Sequence, residues 1–196
     1  MHARKAGIAD ATAITETITV SFHNDPVWSW AFPDPARRPE QFRAWWGLFV
    51  ATGLRNDWTW VTEHCESAAI WVPPGEEELG PEEIAQIGPL LGPMLGEHAP
   101  AVFEMLNRFD AAHPHDPPHY YLTIVGTHDD YRGHGIGEQL LAHNLALIDA
   151  EHLPAYLESS NPNNHKRYRR LGFADFGGFE IYNGGPPVLT MWREAR

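Results

Sequence analysis

The residues Arg132-Gly133-His134-Gly135-Ile136-Gly137 have the composition of an anion cradle. They follow a β-branched and aromatic run, Tyr120 to Val125, that reads as a buried strand. Behind them Ile136, Leu140, Leu141, Leu145, Leu147 and Ile148 form the apolar stripe of a helix that ends before Pro154. The first turn of a helix has backbone N–H groups without intrahelical partners, and the helix dipole adds positive charge there, so phosphate oxygens bind at such a turn. Glycine removes the Cβ atoms that would keep a phosphate away, and Arg132 adds a charge-assisted donor. The spacing has neither the Gly-Lys-Ser/Thr end of a Walker loop nor the GxGxxG of a dinucleotide fold. It reads Arg-x-x-Gly-x-Gly at Arg132, Gly135 and Gly137.

A second block lies downstream. The strand-like Ala155-Tyr156-Leu157-Glu158-Ser159-Ser160 runs into Asn161-Pro162-Asn163-Asn164, then a helix-like His165 to Arg170, and closes on Leu171-Gly172-Phe173. Alternation along the strand turns Glu158 to the face opposite Leu157, where it can reach a cleft as a carboxylate of raised pKa suited to a general base. A salt-bridged structural glutamate is the competing reading. Lys166, Arg167, Arg169 and Arg170 are cations gathered in an acidic chain, either as a solvated helix face or as help for a bound phosphate.

Together the two blocks resemble the GNAT superfamily of acyl-CoA-dependent N-acyltransferases, over roughly the C-terminal two fifths of the chain. The resemblance implies a single α/β domain over residues 1–196, with a central mixed, mostly antiparallel sheet of six or seven strands, splayed at strands four and five, and helices on both faces. It implies acetyl-CoA as acyl donor, with the pyrophosphate on residues 132–137 and the pantetheine along Val125, Gly126 and Thr127 and against Asn161. The Val125 N–H would meet the thioester oxygen. Tyr168 matches the tyrosine that serves the CoA sulfur; the plainer reading is a ring packed near Leu171 and Phe173. Asn161 precedes Pro162 and can instead shape only the turn. Asp129 stands where relatives often carry proline. Within the superfamily the Leu157-Glu158-Ser159-Ser160 strand is most similar to the puromycin N-acetyltransferase type, which implies a small amine acceptor.

The remaining chain was read for the elements that would hold these residues. With 196 residues and 43% hydrophobic composition, one substantial core is expected. A net charge of −12 gives no footprint for nucleic acid. The single cysteine, Cys65, leaves no internal disulfide, and nearby Glu63 and Glu66 oppose a thiolate. The N-terminus has no apolar signal core and no window approaches a membrane span, so a cytoplasmic protein without membrane contacts, monomeric or homodimeric, is expected.

Arg4 to Ala6 leaves room for a short first strand before Asp10, which would cap a helix to Phe22. Phe22 to Phe49 is rich in aromatics and prolines, reading as a loop followed by a helix. Its rings either pack the core or, as Phe22, Trp28 and Trp30, line an acceptor pocket, with His23, Asn24 and Asp25 as polar contacts or merely a turn. Trp58–Val61 and Ala68–Val72 fit a hairpin. Pro73 to Pro100 reads as short helices broken by loops, either lid or solvated surface. His113, His115 and His119 invite a zinc reading, but no ligand spacing accompanies them, and no metal is expected.

The expected activity is direct acetyl transfer from acetyl-CoA to the amine of a small, antibiotic-like or metabolite molecule. A non-catalytic acyl-CoA sensor, an O-acyltransferase on the same fold, and a histidine-rich metal-binding protein are the alternatives.

Overall fold

Strand β4 (Tyr120–Thr127) lies in the middle of a seven-stranded sheet, between β3 (Ser67–Val72) and β5 (Ala155–Ser159). The computed structural model describes residues 2–196. The sheet order is β1-β2-β3-β4-β5-β7-β6, completed by β1 (Ala3–Lys5), β2 (Thr59–Thr62), β6 (Ala174–Glu180) and β7 (Pro187–Arg193). Every pairing is antiparallel except β4 with β5. This is the mixed α/β sheet expected from the sequence, with all seven strands formed.

Two apolar cores lie on opposite faces. One packs α1 (Ala11–Phe22), α2 (Pro26–Ala31), α3 (Arg38–Arg55), α4 (Pro81–Leu95) and α5 (Ala99–Ala112) around Ile18, Phe42, Trp46, Ile70 and Ile124. The other packs α6 (Ile136–Ala150) and α7 (His165–Arg170) around Trp71, Leu122, Leu141, Leu157 and Met191. Asn144, fully buried on α6, accepts from the Trp71 indole at 3.0 Å and so ties that helix to β3.

An extra residue in β4 decides which face its side chains take. Ile70 opposes Ile124 and Trp71 opposes Leu122, so Thr123 has no counterpart on β3. Leu122 therefore enters the α6 core and Ile124 the α1–α3 core. On its other side β4 pairs with β5 only from Tyr120 opposite Ala155 to Leu122 opposite Leu157. Beyond that point β4 stays with β3 as far as Thr127, and β5 stays with β7 as far as Ser159. The two central strands thus separate.

Several local expectations need correction. Asp10 does not cap α1: its carboxylate accepts from the Gly7 N–H and pairs with Arg4 at 2.8 Å, closing a short 3-10 turn. The segment after Phe22 holds a helix that the sequence read as loop, because Asp25 accepts from the Val27 and Trp28 N–H groups and Pro26 supplies the first helical residue. Residues 81–95 form one helix in spite of Pro89 and Pro93, with Leu91 fully buried beneath it. Tertiary burial overrides the lost N–H donors there.

Helix α3 crosses β3 at Gly53. A Cβ there would run into the Ile70 side chain and lie 2.9 Å from the Thr59 hydroxyl. Overpacking costs about 1–3 kcal/mol, more than the gain of up to ~1 kcal/mol that alanine brings to a helix. Gly53→Ala should therefore lower the urea midpoint with an unchanged slope; an equal or higher midpoint would contradict the close packing.

Candidate active site

The separation of β4 and β5 opens a cavity of about 1000 Å³. At one end lies the glycine loop. Gly133 and Gly135 adopt φ of 83° and 73°, a region open to glycine at no steric cost, and Gly135 hands the chain directly into α6. Gly137 has a different reason for being glycine: a Cβ would lie 2.6 Å from the Thr127 hydroxyl, so its smallness lets the helix start close against β4. The first-turn N–H groups of α6 consequently stand at the cavity mouth.

Arg132 is already engaged. It donates to the Ser21 carbonyl at 2.6 Å and pairs with Asp129 at 2.8 Å, pinning the loop to the end of α1. His134 is outside the cavity wall, its ring nitrogen 3.3 Å from the Tyr131 carbonyl. On α7, Arg170 holds Glu138 at 2.5 Å and Arg169 holds Asp175 at 2.8 Å, while Arg167 lines the cavity without an ion pair among the described residues.

Val125, Gly126 and Thr127 line the gap together with Asn161 and Tyr168. The Asn161 side chain accepts from the Asn163 N–H at 3.1 Å, so one of its atoms is spent shaping the turn. Tyr168 is 6% exposed, against Phe173, and burial pushes its hydroxyl up to about 12. It is a proton donor at neutral pH. Asp25 lies close enough to act on it electrostatically, and accepts a hydrogen bond from the Ser160 hydroxyl at 2.7 Å. Burial raises the Asp25 carboxyl, against the opposing pull of Ser160 and two backbone N–H groups.

The far end of the cavity is acidic and aromatic. Glu158 faces it, as strand alternation requires, and accepts from Tyr121 at 2.6 Å and Tyr156 at 3.0 Å. Burial, helped by the charge of Glu78, pushes its carboxyl up to about 8, while the tyrosines oppose the shift. Glu78 arrives on the loop after β3, accepts from Thr123 and is likewise raised by burial and by Asp110. His113 and His119 meet at 3.3 Å between their Nε2 atoms; burial and the neighbouring imidazoles hold His113 down to about 4, so it is neutral. Trp28 stacks on Phe109 at 6.2 Å and packs on Trp46 at 4.6 Å, beside Phe22.

Trp30 does not join this wall. Two residues along a helix is a rotation of about 200°, so Trp30 turns away from Trp28 and packs edge-on against His98 at 4.9 Å. Tyr121 and Glu78 were absent from the sequence-derived site. The first changes face only because of the extra residue in β4, and the second sits in a proline- and glycine-rich stretch without periodicity. Cys65 is buried in its turn, and its thiol is raised to about 11 by burial and by Asp10. Among the described residues, no group of three or more His, Cys, Asp or Glu could hold a metal ion, and no helix is long and apolar enough to cross a membrane.

The fold has counterparts among known proteins. Residues 101–173 match the Acetyltransferase (GNAT) family. Among solved structures, a histone acetyltransferase HPA2 and related acetyltransferase from Corynebacterium glutamicum is 24% identical, with 99% of this chain and 96% of that chain covered and a TM-score of 0.70. Arylalkylamine N-acetyltransferase 2 from Aedes aegypti is 10% identical, with 100% and 99% covered and a TM-score of 0.63. A NatC complex bound to Gag peptide and CoA is 12% identical, with 100% and 98% covered and a TM-score of 0.54. The chain therefore has the GNAT acetyltransferase fold over its full length, and its segment from α5 through the glycine loop to Phe173 is the part that matches that acetyltransferase family.

Proposed function

We propose that the protein is an acetyl-CoA-dependent N-acetyltransferase that acts directly on the amine of a small molecule. One observation carries this reading: a single cavity joins a helix-start glycine loop, a gap between two parallel strands and a buried tyrosine hydroxyl. The residues present fit CoA. The first turn of α6 offers N–H groups to a pyrophosphate, with Arg167 on the wall nearby, and the separated edge of Val125 to Thr127 offers backbone to a pantetheine amide. When bound, acetyl-CoA supplies an activated acyl thioester.

The chain's own groups then divide the proton work. Glu158 takes the proton that the amine nitrogen releases as it bonds to the acyl carbon, and a carboxyl raised to about 8 is a stronger base than an ordinary glutamate. Tyr168 gives its hydroxyl proton to the sulfur as the carbon–sulfur bond breaks. Tyr121 and Tyr156 hold the Glu158 carboxylate in place by hydrogen bonds. The apolar wall of Trp28, Phe22 and Phe109 excludes water from the acceptor end. The acceptor's small size is inferred from the closure of that end by α2, α5 and the loop carrying Glu78.

Saturating acetyl-CoA should raise the thermal midpoint by several degrees, since a ligand at about a hundred times its Kd adds about 2.7 kcal/mol. Tyr168→Phe should keep that shift and lose about a hundredfold or more in thiol release over an amine panel. No shift with acetyl-CoA would overturn the reading, and binding without turnover of any amine would replace it by a sensor.

The low-pH limb of kcat/KM should rise with a midpoint near 8 as Glu158 ionises. The Tyr121 hydrogen bond favours the charged carboxylate, so Tyr121→Phe should move that limb to higher pH with the same amine. A limb that stays in place would remove Glu158 from the base role.

A further inference from the structure

Glu78 and Glu158 stand in the acceptor end of the cavity with no cation beside them. Four shielded carboxylates elsewhere each hold an arginine: Asp10 with Arg4, Glu83 with Arg55, Glu138 with Arg170 and Asp149 with Arg193, all between 2.5 and 2.8 Å. The cavity pair is met by hydroxyls alone, from Tyr121 and Tyr156 on Glu158 and from Thr123 on Glu78. A carboxylate withdrawn from water without a cation is costly, and a second one nearby, as Glu78 is to Glu158, makes it more so.

The cavity's charges are also sorted by end. The arginines on its wall, Arg132, Arg167 and Arg170, belong to the glycine loop and α7. Among the described residues no lysine or arginine lines the acceptor end, where Glu78 and Glu158 are joined by Asp110. In the wall of the same cavity the Trp28 ring, stacked on Phe109, is a surface of the kind that attracts a cation and buries an apolar body.

We infer that the acceptor binds as an ammonium ion between Glu78 and Glu158, with an apolar or aromatic body against Trp28 and Phe109 and with no carboxylate of its own. The inference rests on the acetyltransferase reading of this cavity and adds the acceptor's class to it. The bound ammonium first releases one proton to water to give the neutral amine, Glu158 then takes the proton that nitrogen loses as it bonds to the acyl carbon, and Glu78 is the residue that selects for positive charge. An amino acid or acidic peptide would place its carboxylate beside two carboxyls where no arginine or lysine can receive it.

The test compares phenethylamine with phenylalanine, which differ by one carboxylate, using the full chain with saturating acetyl-CoA and thiol release as the signal. Phenethylamine should be preferred by a hundredfold or more in kcat/KM. Glu78→Gln, close in volume, should raise KM for phenethylamine by about ten- to a hundredfold, the worth of one charged hydrogen bond, while the thermal shift with acetyl-CoA stays as in the parent. Equal use of phenylalanine, an unchanged KM in the variant, or no binding of phenethylamine or any aliphatic monoamine to a protein that still binds acetyl-CoA would overturn the inference. Should Glu78→Gln fail to fold, the comparison of the two substrates on the parent protein decides it. Loss of the acetyl-CoA shift itself would instead sink the acetyltransferase reading, so the two failures are distinguishable.

Discussion

The structure turns on one unpaired residue. Thr123 lengthens β4 relative to β3, and from that point the faces of the strand exchange: Leu122 fills the core under α6, and Ile124 fills the core under α1 and α3. Without the exchange one of these cores would receive a polar side chain and the other would lack an anchor. The same irregularity lies at the point where β4 and β5 stop pairing, so the cavity between them follows from how the sheet is registered. It also places Tyr121 and Thr123 where each can give a hydroxyl proton to a carboxylate from another element, Glu158 and Glu78. Core packing and site geometry thus share a single cause.

The cavity is expensive for the fold to maintain. Its two withdrawn carboxylates have raised pKa values because burial disfavours their charged forms, with Glu78 adding repulsion on Glu158 and Asp110 on Glu78. Hydroxyl donors offset part of that cost, and the aromatic wall around Trp46 and Phe109 offsets more through apolar burial. At the other end a different arrangement holds: Arg132 and Arg170 are engaged with Ser21, Asp129 and Glu138, so backbone N–H groups of the helix start, rather than free side chains, face the cavity. Backbone held by a helix start needs no reordering when a ligand arrives.

Reading the sequence located the parts of this machine that obey a simple period. β4, the glycine loop and α6 were legible because a strand run, punctuating glycines and a four-residue apolar stripe meet there without a break. Glu158 was legible from alternation alone, since β5 is regular and Leu157 marks the buried face. Tyr121 was not, because alternation on β4 is interrupted two residues later and nothing in the run of β-branched residues announces it. Glu78 was lost in a stretch whose prolines and glycines carry no facing information. Prolines misled twice more, at Pro26, which starts α2, and at Pro89 and Pro93, which α4 absorbs through the burial of Leu91. Trp30 shows the complementary error: its residue type fits a pocket, but the helix that sequence reading missed rotates it out of one.

The end of the cavity that holds Glu78 draws on stretches of chain that the glycine-loop end does not. The glycine loop, Asn161 and Tyr168 lie within the span from 101 to 173, as does Glu158, whereas Phe22, Trp28 and Glu78 come from α1, from α2 and from the loop after β3. Tyr121 is the link between them, bonded to Glu158 and two residues along the strand from Thr123, which holds Glu78. Substitutions in the loop between β3 and α4 can therefore reshape the end of the cavity that holds Glu78 without touching the glycine loop. The cavity is thus modular along the chain: one end is assembled from residues within the span from 101 to 173, and the other also draws on segments that precede it.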